Sequence, residues 1–192
     1  MKKLILASTS PRRKELLEKE GFIFDIMSPD FDESLVNRTF SYKKIENIAR
    51  NKCESVAKKI KEPALIISAD TVVIYENNVM GKPKNFDESF KMLSLLNGNT
   101  HKVVTAICIK DTEKNKIIIK SDTSEVTFNK KDENEIKDYI NNFKPFDKAG
   151  SYGIQEMDKS FINGIKGEYD NIVGMPIKML KKMLDEITNP TN

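Results

Sequence analysis

A hydroxyl- and arginine-rich hexapeptide, Ser8-Thr9-Ser10-Pro11-Arg12-Arg13, lies where a short apolar run ends. Ser10 suits an N-cap and Pro11 the first helical position. Two arginines in a first turn face the positive end of the helix dipole, which is unfavourable for the isolated helix. A phosphate bound there would offset that repulsion, taking unpaired N–H groups and the guanidinium fork together. A capped helix with solvated arginines is the other reading of the same six residues.

Asp70 interrupts an apolar run within Ser68-Ala69-Asp70-Thr71-Val72-Val73. A carboxylate in a buried strand is costly unless it is paired or bound to metal. Strand ends are also where α/β proteins place ligand-handling groups. A tight turn at Asp70 is the other reading. The acidic run Asp30-Phe31-Asp32-Glu33 has the donor type that Mg²⁺ takes beside phosphate oxygens, and as a solvated loop it would need no ligand at all. Lys82, in Gly81-Lys82-Pro83-Lys84, and Lys52, in a helical stretch, are cations able to reach a phosphate or simply solvent. Gly150-Ser151-Tyr152-Gly153-Ile154-Gln155 offers close backbone approach at its glycines and an amide that could pair with a base edge, or a structural turn. The single histidine, His101, reads as structural. Cys53 and Cys108 show no metal spacing and read as reduced, buried thiols.

These residues need elements to hold them. The sequence predicts a buried strand over 4–7, a helix from Pro11 to a stop at Gly21, and a strand over 22–28. Apolar residues at steps of three and four predict a helix over 41–60. Strands are expected over 64–68 and 71–75, with Ala69-Asp70 between them and a turn at Asn77-Asn78. Asn85 with Glu88 resembles a capping box opening a helix that ends near Gly98. Strands over 102–110 and 116–128, an amphipathic helix over 132–143, a glycine-rich loop with a short strand over 149–174 and a helix opened by Pro176 complete the chain. Interleaved helices and strands without a linker or repeat predict one α/β domain, residues 1–192, on a mixed sheet.

Composition sets outer bounds. With 192 residues, 39% hydrophobic and 32% charged, the chain has the balance of a globular domain with a sizeable core. A net charge of +3 and no basic–aromatic clustering argue against a nucleic-acid module. The apolar run after Met1-Lys2-Lys3 is too short for a secretory signal, and no stretch approaches a membrane helix. A cytoplasmic, membrane-free protein is the expectation. There is no Walker A motif and no GxGxxG.

Taken in order, LASTSPRR (6–13), ADTVV (69–73), GKP (81–83), GNTHKVVTA (98–106), DKAGSYGIQ (147–155) and NIVGMP (171–176) resemble the Maf family of nucleotide pyrophosphatases, from residue 4 to about 184. The resemblance implies an elongated mixed β-sheet flanked by helices, with a central nucleotide-binding cleft, similar to inosine triphosphatases. It implies cleavage between the α- and β-phosphates of a nucleoside triphosphate with a divalent cation, Mg²⁺ or Mn²⁺, giving the monophosphate and pyrophosphate. Carried over residue by residue, Asp70 is the catalytic proton acceptor, and Glu33 with Asp70 holds the metal. Ser8, Arg13, Lys52 and Lys82 surround the phosphates. Arg12, Thr71 and Gln155 match the specificity positions of the branch acting on dTTP and UTP. A homodimer is also implied. Three departures stand out: Thr9 where a small residue is common, Asn85 for a frequent Asp, and Glu156 where Gly is usual.

Two other functions compete. A nucleotide-binding regulator without turnover would fit the cleft but not the acidic pair Glu33 and Asp70. Hydrolysis of modified pyrimidine triphosphates keeps the enzyme and changes its substrate.

Overall fold

The computed structural model describes residues 2–31 and 39–189. Among these, seven strands form one sheet: β1 (Lys3–Leu6), β2 (Asp25–Ile26), β3 (Ala64–Tyr75), β4 (Asn78–Met80), β5 (Thr100–Asp111), β6 (Lys116–Phe128) and β7 (Ile162–Lys166). The order is β2-β1-β3-β5-β6-β7, with β4 hydrogen-bonded to β3. β1 runs parallel to both β2 and β3, and the other pairs are antiparallel. The helices are α1 (Pro11–Lys19), α2 (Tyr42–Ala57), α3 (Phe86–Leu96), α4 (Glu133–Phe143), α5 (Tyr169–Val173) and α6 (Ile177–Thr188).

Strand alternation divides the core in two. Ile66, Val104, Ala106 and Cys108 face α2, where Ile45, Ala49, Cys53 and Val56 recur at helical spacing. Leu65, Ile67, Val103, Ile107 and Ile109 face the other side and pack with residues of α1, α3, α4 and α6. The sheet is therefore covered on both faces, which is why β3 and β5 read as long apolar runs.

β3 is one unbroken strand, not two with Ala69-Asp70 between them. β5 pairs with it from Leu65↔Asp111 to Ile74↔Lys102, so its backbone has partners along that edge whatever Asp70 carries. Its other edge is shared. β1 covers it as far as Leu6↔Ile67, and β4 takes over at Val73↔Met80. Residues 68–72 between them have no strand partner on that edge among the described residues. This gap in the sheet lets Asp70 and Thr71, on opposite faces, open into one space.

Other boundaries shifted for local reasons. The strand expected over 22–28 shrinks to Asp25–Ile26, which pair with Ile5 and Leu6 of β1. Asn85 Oδ1 accepts from Glu88 N at 2.9 Å, but Glu88 Oε2 reaches back to Lys84 N, one residue short of a capping box. The complete box is Asp132 with Glu135, at the start of α4. α2 begins after Ser41, whose Oγ accepts from Lys44 N at 3.2 Å, and it ends at Ala57. Both cysteines are free and buried. No helix among the described residues is long and apolar enough to cross a membrane.

Candidate active site

The sheet gap opens into a cleft of about 340 Å³ lined by the 7–13 segment, Lys52, Asp70, Thr71, Lys82, residues 147–149, 152–155 and 172–174. That volume suits a small-molecule ligand. Every proposed site residue among those described lines it. Glu33 lies outside the described residues.

Asp70 sits on the α2 face of β3. Lys52, one helical turn from Ala49 and Val56 on the buried stripe of α2, places its Nζ 2.6 Å from Asp70 Oδ1. Both are nearly buried, with side chains 7% and 11% exposed. The ammonium is the counter-charge that a buried carboxylate requires. Ser68, on the same face, donates to Ala49 O at 2.6 Å and ties β3 to α2 beside the pair.

On the opposite face, Arg13 is clamped from three directions. Nε donates to Gly174 O at 2.9 Å, Nη1 to Ser8 Oγ at 3.2 Å and Nη2 to Thr71 Oγ1 at 3.1 Å. Thr71 Oγ1 and Thr105 Oγ1 are 2.9 Å apart, and Thr105 donates to Asn171 O at 3.0 Å. Thr105 has one hydroxyl hydrogen, so Thr71 must donate to Thr105 and accept from Arg13. Asn171 is in turn fixed by donation to Val103 O and Ser124 Oγ, each at 3.0 Å. Gly174 sits at φ +121, a backbone conformation that glycine adopts without strain, and its carbonyl is the acceptor for Arg13 Nε.

Ser10 occupies the N-cap position of α1 without making a side-chain cap, and no acidic residue stands in the first turn. Ser8 Oγ instead accepts from Ser10 N at 3.2 Å. The start of α1 thus presents positive charge to the cleft, as the hexapeptide predicts for anion binding. Lys82 is exposed on the cleft rim, just before α3. Arg12 Nη1 donates to Asp147 Oδ2 at 3.2 Å, and Gln155, exposed, also lines the cleft.

His101 is structural. Its Nε2 lies 2.7 Å from Tyr152 OH, and its ring packs edge-on against Phe128 and Tyr152. Burial pushes its pKa down to about 4. Tyr152 lines the cleft, so His101 supports the wall from behind. Gly174, Thr105 and Asn171 as supports of Arg13, Asp147 as the partner of Arg12, and Lys148 as the partner of Asp147 were not foreseen from the order of residues. They fall within GNTHKVVTA, DKAGSYGIQ and NIVGMP, which signalled them without roles.

No group of three or more His, Cys, Asp or Glu side chains that could hold a metal exists among the described residues. Among the described residues, Asp70 and Asp147 are the carboxylates that line the cleft, and Asp70 is the one at the sheet gap. That suits a divalent cation completing its shell with phosphate oxygens, as Mg²⁺ does.

An α/β protein with a small-molecule-sized, cation-lined cleft at a gap in its sheet is the class that fold and site define. The chain belongs to the Maf family: the profile described as Maf-like protein matches residues 3–187. It is 44% identical over 184 residues to a protein of Clostridium perfringens named dTTP/UTP pyrophosphatase, covering 95% of this chain and 96% of that one. A protein of the same name from Clostridium botulinum is 45% identical over 187 residues, with 96% and 98% coverage. One from Alkaliphilus oremlandii is 40% identical over 184 residues, with 96% and 95% coverage. Among solved structures, a HAM1 protein from Coxiella burnetii aligns over 98% of this chain and 99% of that one, at 14% identity and a TM-score of 0.47.

Proposed function

We propose that this protein is a nucleoside triphosphate pyrophosphatase that cleaves dTTP and UTP to the monophosphate and pyrophosphate. The observation that carries the reading is the Lys52–Asp70 pair at the sheet gap, facing Arg13 and the start of α1 across one cleft. Family membership and the shared name of relatives 40–45% identical over nearly the whole chain support it.

In this reading the triphosphate enters with its anionic oxygens toward the start of α1, Ser8, Arg13, Lys52 and Lys82. These groups stabilise charge that develops on the phosphate oxygens. Lys52 fixes Asp70 Oδ1 and so orients the carboxylate. Asp70 takes the proton of a water whose oxygen attacks the α-phosphorus. The bond from that phosphorus to the bridging oxygen breaks, and pyrophosphate leaves. A divalent cation, Mg²⁺ or Mn²⁺, held by Asp70 with Glu33, would supply further charge neutralisation at the phosphates. Arg12, Thr71 and Gln155 sit where a base edge can be read. Thr71 acts in part by holding Arg13, because its hydroxyl is already committed to Thr105. A homodimer in the cytoplasm belongs to the same proposal.

The test is product analysis with purified protein, Mg²⁺ or Mn²⁺, and dTTP, UTP, CTP, GTP and base-modified triphosphates. Monophosphate and pyrophosphate from dTTP and UTP bear the reading out. Turnover confined to another base overturns the specificity, and binding without turnover overturns the enzyme. Light scattering on the same sample tests the dimer.

A further inference from the structure

Four charged side chains of alternating sign form a chain beside the cleft, and three of them, Arg12, Asp147 and Lys148, line it. Arg12 Nη1 meets Asp147 Oδ2 at 3.2 Å. Asp147 Oδ1 meets Lys148 Nζ at 2.8 Å, and Lys148 Nζ meets Glu156 Oε2 at 3.2 Å. Lys148 is the buried member, its side chain 9% exposed, while Asp147 and Glu156 reach solvent. A buried ammonium holds its geometry only with its counter-charges in place. Burial pushes the Asp147 carboxyl up, but Lys148 and Arg12 outweigh this and hold it below its usual value.

The chain of charges joins two segments far apart in sequence. Asp147 fixes the guanidinium at the start of α1. Glu156 closes the loop immediately after Gln155. Between them Gly153 is pinned, its N–H donating to Tyr139 OH at 3.0 Å and its carbonyl accepting from Glu156 N at 3.0 Å. A Cβ at Gly153 would lie 2.9 Å from Glu156 Oε2 and 3.0 Å from Lys148 Cε, so the ion pair packs directly on the loop backbone. Arg12 and Gln155, both lining the cleft, are thus braced through one ammonium.

We propose that Lys148, acting through Asp147 and Glu156, is a positioning residue that fixes Arg12 and Gln155 relative to each other and thereby sets base selectivity. The inference rests on the reading above, in which those two residues meet the base. The two carboxylates are the clean handles, because both are partly exposed and have isosteric neutral replacements.

The experiment compares kcat and KM for UTP and CTP in wild type, Asp147→Asn, Glu156→Gln, Arg12→Gln and the Arg12→Gln/Asp147→Asn double variant. Each carboxylate variant should raise KM for UTP about three- to tenfold, leave kcat within about twofold, and reduce the preference for UTP over CTP. A merely structural role would lower kcat and thermal stability without moving the UTP to CTP ratio. If Asp147 acts through Arg12, adding Asp147→Asn to Arg12→Gln should cost less than about twofold more. Unchanged KM and selectivity in both carboxylate variants, or full additivity with Arg12→Gln, overturns the inference and leaves the enzyme reading standing. Wild-type protein that does not cleave UTP overturns that reading and this inference with it.

Discussion

Lys52 on α2 and Asp70 on β3 approach to 2.6 Å in a nearly buried setting, eighteen residues apart in sequence. The pair stands at the stretch of β3 that neither β1 nor β4 covers, so the carboxylate is shielded on the α2 side and open toward the cleft.

Asp70→Asn keeps the shape of the side chain and removes its capacity to take a proton. General-base help is typically worth ~10²–10⁴-fold, and kcat should fall by at least that much. Steady-state pyrophosphate release at saturating metal measures it. A rate close to wild type would remove Asp70 from the proton-accepting role.

Arg13→Lys retains the charge and loses the fork. A lysine cannot donate at once to Gly174 O, Ser8 Oγ and Thr71 Oγ1. Hydrogen bonds from charged groups are worth about 1.5–3 kcal/mol each, so kcat/KM should drop about 10- to 100-fold with circular dichroism unchanged. An unaltered kcat/KM would show that only the charge matters.

Gly150→Ala should destabilise the fold. The residue sits at φ +67, and an added Cβ would lie 2.9 Å from Val73 Cγ1, inside β3. Strained backbone and overpacking together predict a loss of about 2–4 kcal/mol, read from urea unfolding. Stability within error of wild type would mean that Val73 can yield.

His101 should make stability pH-dependent. Its folded pKa is depressed to about 4 from an ordinary 6.5. The unfolded chain therefore binds the proton first as pH falls. The contribution is fully present above about pH 6.5 and is lost between there and pH 4, on the order of 2–3 kcal/mol by pH 4.5. His101→Gln retains a hydrogen-bonding group for Tyr152 and should flatten this limb. Parallel pH profiles of urea midpoints for the two proteins would argue against the assignment.

Much of this protein was legible in the order of its residues. The long helical stripe from Ile45 to Val56, the paired strands before and after Asn115, and the capped helices follow from periodicities that local sequence carries. The hydroxyl- and arginine-rich start of α1 was also local, since hydroxyls, proline and two arginines stand within six consecutive residues. The resemblance assigned Asp70, Lys52, Lys82 and Gln155 to one site, and the structure sets these four around a single cleft. Tertiary structure alone decided the rest. Asp70 could lie in an unbroken strand because β5 pairs its backbone and Lys52 neutralises its charge, and neither partner is visible in ADTVV. The left-out edge at 68–72 depends on where β1 stops and β4 begins, which is a matter of register between distant segments. The same holds for Gly174 on Arg13, for Thr105 and Asn171 behind Thr71, and for Lys148 between Asp147 and Glu156. Sequence determines which groups are available and what each prefers locally. Which of them meet is decided by packing across the sheet, because contacts between distant residues form only when the whole core closes.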